Sequence, residues 1–196
     1  MHGMILTGLN KFVAARYGAD VWMRAVAEAG FAGVTFVPTT DYPDADATAV
    51  LAAAARHAGR DPEALLQDFG EFLAGELIAL YRSIIPAAWK TLDVIANAEA
   101  TIHRIVRLRN PEAKPPRLNC RRVSGDEVSV IYRSERRLCS LAKGLCRGIA
   151  AYFRESVAVS ESACMLKGAP ECVLSIRLLP ARVNVKGQAA GTPATS

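Results

Sequence analysis

A cluster of prolines, Pro111, Pro115 and Pro116, divides this chain into two parts with different periodicities. Proline lacks an amide hydrogen and restricts the residue before it, so no helix runs through such a cluster. Ahead of it the punctuation is that of helices. Ile5, Leu6, Leu9, Phe12 and Val13 share one side of a first helix that Gly18 can close, Asp20 can cap a second, and Gly30 can end it. A third helix is expected after Tyr42-Pro43-Asp44, with Asp44 or Asp46 as its cap, through VLAAAARHAG. Asp61-Pro62-Glu63 supplies a cap, a first-turn proline and a first-turn acid to a fourth, which runs toward Phe72 or beyond. A long helix from about Trp89 to Leu108 then ends at the prolines.

Beyond the prolines, RLNCRRV and EVSVIYRS read as strands joined at Ser124-Gly125-Asp126. Leu138, Leu141, Leu145, Ile149 and Tyr152 mark a helix packed on that sheet, and SVAVSES and ECVLSIRLL flank a turn at Lys167-Gly168-Ala169-Pro170. The expected class is α+β, an N-terminal helical subdomain followed by a C-terminal subdomain of antiparallel sheet and helices. One domain is expected over residues 1–182, and 183–196, ending in KGQAAGTPATS without large apolar groups, is expected to be a disordered tail.

At 196 residues and 51% hydrophobic composition, the chain can bury a core of normal size. Arg82, Lys90 and Asp93 interrupt the longest apolar region, so no run reaches the roughly 18 residues a membrane span needs. The start has no secretion-signal pattern, and a cytoplasmic protein is expected. There five cysteines serve as buried thiols, metal ligands or redox thiols rather than as a disulfide framework. The net charge is +5, and ten basic against four acidic residues between His103 and Arg137 imply a local anionic partner.

His103, one of three histidines, sits near the end of the long helix on a mostly small and apolar face with Ile95, Ala96, Glu99, Ala100 and Val106. A lone histidine there is ordinarily a half-buried partner of Glu99 or water, and a neutral imidazole could instead ligate a metal. His2 and His57 have no spacing partners and are expected to be exposed. In VIYRSER the period of two puts Tyr132, Ser134 and Arg136 on one face of a strand, two hydroxyls and a guanidinium aimed at one place. That is either a grip for a carboxylate or a solvated strand end.

His103, the Pro115-Pro116 pair and Tyr132-x-Ser134-x-Arg136 together resemble the heme nitric-oxide/oxygen-binding (H-NOX) family, and the likeness runs from MHGMILTGLNKFV through Tyr17-Gly18 and Phe69-Gly70 to ECVLSIRLL. The resemblance implies a heme b between the two subdomains, with His103 as proximal iron ligand. Tyr132, Ser134 and Arg136 would hold the propionates, and Pro116 would press on the macrocycle. Family members that hold dioxygen place a tyrosine five residues past the motif arginine, where this chain has Leu141; the neighbouring distal positions match Leu9 and Leu73, with Ile5 beside them. The resemblance thus implies a sensor of nitric oxide, also open to carbon monoxide and closed to dioxygen. It implies no enzyme activity, and signalling to a separate partner such as a histidine kinase or a cyclic-di-GMP enzyme. The segment IANAEATIH lacks the family's usual Leu-Asp pair, and Glu99 is expected to reach the outer imidazole nitrogen through water.

Cys164 and Cys172 lie symmetrically about Gly168, so a hairpin would place them opposite each other. With Cys139 they resemble a zinc cluster of some family members whose fourth ligand is a histidine, here Glu161. Cys146 is seven residues from Cys139 on one helix, roughly 10 Å away by the helical rise, too far to join that set. Redox-active thiols and inert buried thiols are the other readings, and Cys120 is expected to be inert. Two rival functions are a heme-free zinc or thiol sensor of vinyl-reductase-like type and a basic nucleic-acid-binding module. The latter is disfavoured because only Tyr132 supplies an aromatic among those basic residues.

Overall fold

The computed structural model describes residues 1–180, so the last residues of the expected domain and the expected tail lie outside the described residues. Four helices form the first half: α1 (Gly3–Tyr17), α2 (Ala19–Glu28), α3 (Asp44–His57) and α4 (Pro62–Leu80). Their boundaries follow the expected punctuation with two changes. Pro43, not Asp44 or Asp46, caps α3, because the Asp44 carboxylate is engaged elsewhere; Gly18, not Asp20, occupies the cap of α2. Asp61 does cap α4, accepting from the Ala64 amide at 2.9 Å, and the helix runs on to Leu80. His2 caps α1 through a 3.4 Å bond from the Met4 amide and His57 pairs with Glu28 at 2.7 Å, so both histidines are half-buried rather than exposed.

The expected long helix is interrupted. It comprises α5 (Thr91–Asn97), a π turn over Glu99–His103, and α6 (Arg104–Arg109). In the π turn the His103 amide reaches back to the Ala98 carbonyl at 3.0 Å, one residue further than in an α-helix. No residue in this stretch carries a breaker, so its apolar periodicity could not disclose the extra residue.

Beyond the prolines lie β1 (Arg117–Arg122), β2 (Glu127–Arg133), α7 (Cys139–Tyr152), β3 (Val157–Ala163) and β4 (Cys172–Leu178). The four strands make one antiparallel sheet in the order β1-β2-β4-β3. The strand-like alternation sends Val128, Val130 and Tyr132 to the covered face, opposite Ile176, Leu174 and Cys172 of β4. Val128, Val130, Leu174 and Ile176 form a second core with Leu92 and Ile95 of α5 and Cys146 of α7. The fold is α+β as expected.

The two halves meet where α4 and α7 touch backbone to backbone. A Cβ on Gly144 would stand 2.0 Å from the Gln67 carbonyl oxygen, and one on Gly148 would stand 2.5 Å from that of Glu71; seen from the other helix, one on Gly70 would stand 2.4 Å from the Leu141 carbonyl. Arg147 fastens the crossing with a 2.7 Å bond to Gln67. Real side chains do not approach so closely, so G144A should cost about 3 kcal/mol or more in urea unfolding, whereas G75A, which meets nothing within 4 Å on α4, should be neutral or stabilise by about 0.5–1 kcal/mol.

Candidate functional site

His103 closes the π turn with its side chain 17% exposed. Its Nδ1 lies 3.1 Å from Glu99 Oε2, a direct bond where a water-mediated one was expected. The same carboxylate accepts the Leu118 amide of β1 at 3.1 Å, and its other oxygen accepts from Arg107 Nη2. Burial favours the neutral carboxylic acid, but the bonds from His103, Leu118 and Arg107 outweigh it and hold Glu99 below the usual carboxylate range. The imidazole is likewise pulled below its ordinary value, chiefly by burial and also by the Arg107 charge, against Glu99 and the Pro116 carbonyl, which favour the charged ring. It is therefore neutral at pH 7, the form that ligates metals.

The Tyr132-x-Ser134-x-Arg136 segment is only partly a strand. Strand β2 ends at Arg133, and Ser134 to Arg137 turn, with Arg137 at φ 51°. Tyr132 faces inward, 3% exposed, beside Cys139 and Cys172; burial pushes its hydroxyl up to about 12, against the Ser134 bond. Ser134 and Arg136 instead line a cleft of about 500 Å3 with Asp44, Arg107, Lys114, Pro115 and Arg133. Arg136 donates through Nε to Asp44 Oδ1 at 2.7 Å and through Nη1 to the Lys114 carbonyl at 2.6 Å. The Met1 nitrogen lies 2.9 Å from the same Asp44 oxygen. Burial raises the Asp44 pKa, yet these cations bring it below its ordinary 3.8.

Leu9, Leu73 and Leu141 are brought into one core cluster, 0%, 0% and 8% exposed, where α1, α4 and α7 converge, with Phe69 among them. Ile5, Leu77, Leu138 and Leu145 pack against this cluster and stay partly uncovered. The only buried polar or charged residues among the described ones are Thr91 and Ser140, neither in this cluster, and Ser140 Oγ donates to Glu63 at 3.2 Å.

The cysteine set also assembles. Cys139 heads α7, and Cys164 and Cys172 bracket the β3–β4 connection; Cys164 Sγ lies 3.7 Å from Cys139 Sγ and 3.8 Å from Cys172 Sγ. Glu161 points into the group from β3, with all four ligand atoms within 4.8 Å of one another. One Glu161 oxygen is buried without a partner, and the other faces Lys143 Nζ at 3.4 Å. Burial and the neighbouring thiols push Cys139 up to about 12, and burial together with the Cys164 thiol raises Cys172 against the bonds from the Met165 amide and Cys139. Cys146 lies elsewhere, in the sheet core, with its pKa pushed up to about 12 by burial; Cys120 packs against that core and is pushed to about 11.

Three participants had little or no signature in the sequence. Asp44 is remote from Arg136 along the chain, Leu118 meets Glu99 through its amide, and Lys143 reaches Glu161 across the α7–β3 contact. Only the Glu99/His103 spacing of four was visible beforehand.

These features define a helical half and a sheet half with a neutral imidazole, an aliphatic cluster and a cationic cleft around their junction. The family model for Haem-NO-binding (HNOB) proteins matches residues 2–161, and the chain belongs to that family of heme-based gas sensors. Among solved structures, an H-NOX protein from S. oneidensis in the Fe(II)NO state is 24% identical, covers 92% of this chain and 100% of its own, and superposes with a TM-score of 0.84. Unliganded Fe(II) H-NOX from K. algicida is 17% identical over 93% of this chain and 99% of its own, with a TM-score of 0.81. A mutant H-NOX of T. tengcongensis is 19% identical over 93% and 100%, also at 0.81. At these identities the likeness establishes the fold. No curated protein matches the chain. Among the described residues, no helix is long and apolar enough to cross a membrane.

The Asp44–Arg136 pair should be measurable in the metal-free protein. D44N should lower stability by about 1 kcal/mol in urea, the upper end for a partly exposed pair. Because the folded pKa is depressed, that contribution is present above the ordinary value of 3.8 and is lost as the pH falls through the folded value.

Proposed function

We propose that this protein is a heme-based nitric oxide sensor, ligated by His103 and signalling to a separate partner protein. The donor set fits an iron porphyrin. His103 offers a neutral imidazole whose Nδ1 is already committed to Glu99, leaving Nε2 for a metal. Arg136 and Ser134 line a cationic cleft suited to acid arms, Tyr132 is bonded to Ser134 from the buried side, and Pro116 borders the imidazole. Ile5, Leu77, Leu138 and Leu145 leave apolar surface for a flat ligand to cover.

Heme b, held by these residues, would supply the ferrous iron that takes up the gas. The protein's own contribution to selectivity is the purely aliphatic cluster of Leu9, Leu73 and Leu141, and its composition carries the reading. None of these side chains can donate a hydrogen bond, and a polar dioxygen adduct depends on such a donor, whereas nitric oxide and carbon monoxide depend on it far less. His103 would hold the heme iron, and because Glu99 bonds that imidazole to the π turn and to β1, a change in the position of His103 would alter the surface offered to a separate partner such as a histidine kinase or cyclic-di-GMP enzyme.

The second, independent reading is a structural zinc ion held by Cys139, Cys164, Cys172 and Glu161. Sulfur donors about 2.3 Å from a tetrahedral zinc stand about 3.8 Å apart. The two sulfur separations of 3.7 and 3.8 Å match that edge, and the buried, unpartnered Glu161 oxygen is a donor suited to a cation. A redox role for the same thiols is the competing use.

The reduced protein reconstituted with hemin should show a Soret band that shifts with nitric oxide and with carbon monoxide but not on exposure to air. H103G should abolish or alter the band, with recovery on adding imidazole. A colourless, iron-free product after reconstitution would overturn the heme reading. Installing a donor in the cluster, L141Y, should produce a dioxygen-bound spectrum where the natural protein gives none. Metal analysis should find one zinc per chain and a reduced content in E161A; zinc without heme uptake would favour the vinyl-reductase-like alternative, and salt-steep DNA affinity without a Soret band the nucleic-acid one.

A further inference from the structure

The π turn makes Glu99 a three-way junction. In a regular α-helix a residue eight positions on lies about 80° around the axis, whereas one seven positions on lies almost directly above. The extra residue in the turn gives Arg107 the place of the seventh, so its guanidinium reaches back over the same face to Glu99. His103, four positions on, bonds the other carboxylate oxygen at 3.1 Å. That oxygen also takes the outward amide of Leu118 at 3.1 Å, a group on an edge strand with no ladder partner on that side. The carboxylate is thus satisfied on three sides and spans the ligand helix and the sheet.

An ionised carboxylate only accepts, so both the Leu118 amide and His103 Nδ1 must donate to it. A neutral ring bonded in this way carries its proton on Nδ1 and presents a bare lone pair at Nε2. We propose that Glu99 is the positioning residue of His103: it fixes the tautomer and ring orientation that make Nε2 the ligating nitrogen, raises the basicity of that nitrogen, and ties the imidazole to β1. Ligand basicity rises because negative charge on the outer nitrogen's partner shifts electron density toward the metal-facing one. The tie to β1 has a second consequence. Movement of His103 pulls on the carboxylate that occupies the Leu118 amide, so the first strand senses the state of the imidazole without any contact to a ligand. The proposal's electronic part rests on the heme reading; its structural part does not.

The test has two arms. In the metal-free full chain labelled with 15N, His103 should be protonated at Nδ1 and the Leu118 amide protected from exchange. E99A should give a mixed tautomer and about tenfold faster exchange at Leu118, while R107A, which removes only the third partner, should leave both largely unchanged. In the hemin-loaded ferrous protein, E99Q keeps an acceptor oxygen but loses the charge. It should lower the iron–histidine stretching frequency and raise the reduction potential, with folding checked by circular dichroism. An unchanged tautomer and unchanged Leu118 protection in E99A would overturn the proposal, as would an unchanged stretch in E99Q. A chain that refuses hemin yet shows the tautomer and exchange effects would leave Glu99 as the positioning residue and dismiss the heme reading alone.

Discussion

The architecture depends on the backbone contact between α4 and α7. Gly70, Gly144 and Gly148 allow the two helices to approach until carbonyl oxygens occupy the space where side chains would stand. Interiors are packed too tightly to absorb a methyl group at such a point without moving a helix. Because α7 also covers the sheet, this contact fixes the helical half against the sheet half. It places Leu73 beside Leu141 and sets Cys139, at the head of α7, over the inner face where Cys172 and Glu161 emerge.

The two candidate centres share a neighbour, Leu118, whose amide bonds Glu99 and whose side chain packs against the thiol group, yet they are built on opposite principles. Around His103 a charged carboxylate, a guanidinium and a strand amide hold one imidazole neutral and oriented. Around Cys164, three thiols and a carboxylate crowd together with a buried oxygen left unpaired, which is costly unless a cation takes it up. Tyr132 and Cys172 are paired across β2 and β4, so the sheet itself connects the anion-gripping segment to the thiol group. Arg136, meanwhile, is already satisfied by Asp44 and Lys114, and an incoming carboxylate would exchange one anionic partner for another rather than fill a bare site.

Much of the fold was legible because its signals are local. The Asp61 cap, the turn at Ser124-Gly125-Asp126, the alternation through Val128 to Tyr132 and the spacing of Leu138 to Tyr152 each depend on residues within a few positions of one another. Where the reading missed, a distant partner had intervened. Asp44 did not cap α3 because Arg136 and the Met1 nitrogen compete for it, and His57 was not exposed because Glu28 of another helix lies against it. The strand carrying Tyr132 stopped at Arg133 instead of continuing to Arg136, since Arg137 adopts a positive φ to start the turn into α7.

By itself the sequence determined the order and type of the elements, the break at the prolines, and the identity of the donors: one helical histidine, a Tyr-Ser-Arg segment, a symmetric cysteine pair and a row of leucines. Periodicity and turn chemistry suffice for that, because they act over a few residues. Only the tertiary structure decided that Glu99 bonds the imidazole directly, that the helix carries a π turn there, and that Glu161, already the expected fourth donor, stands beside the thiols with one oxygen unpaired. Those outcomes depend on which backbone amides and charges different elements bring within 3 to 4 Å, a balance of burial against pairing that no single stretch of chain contains.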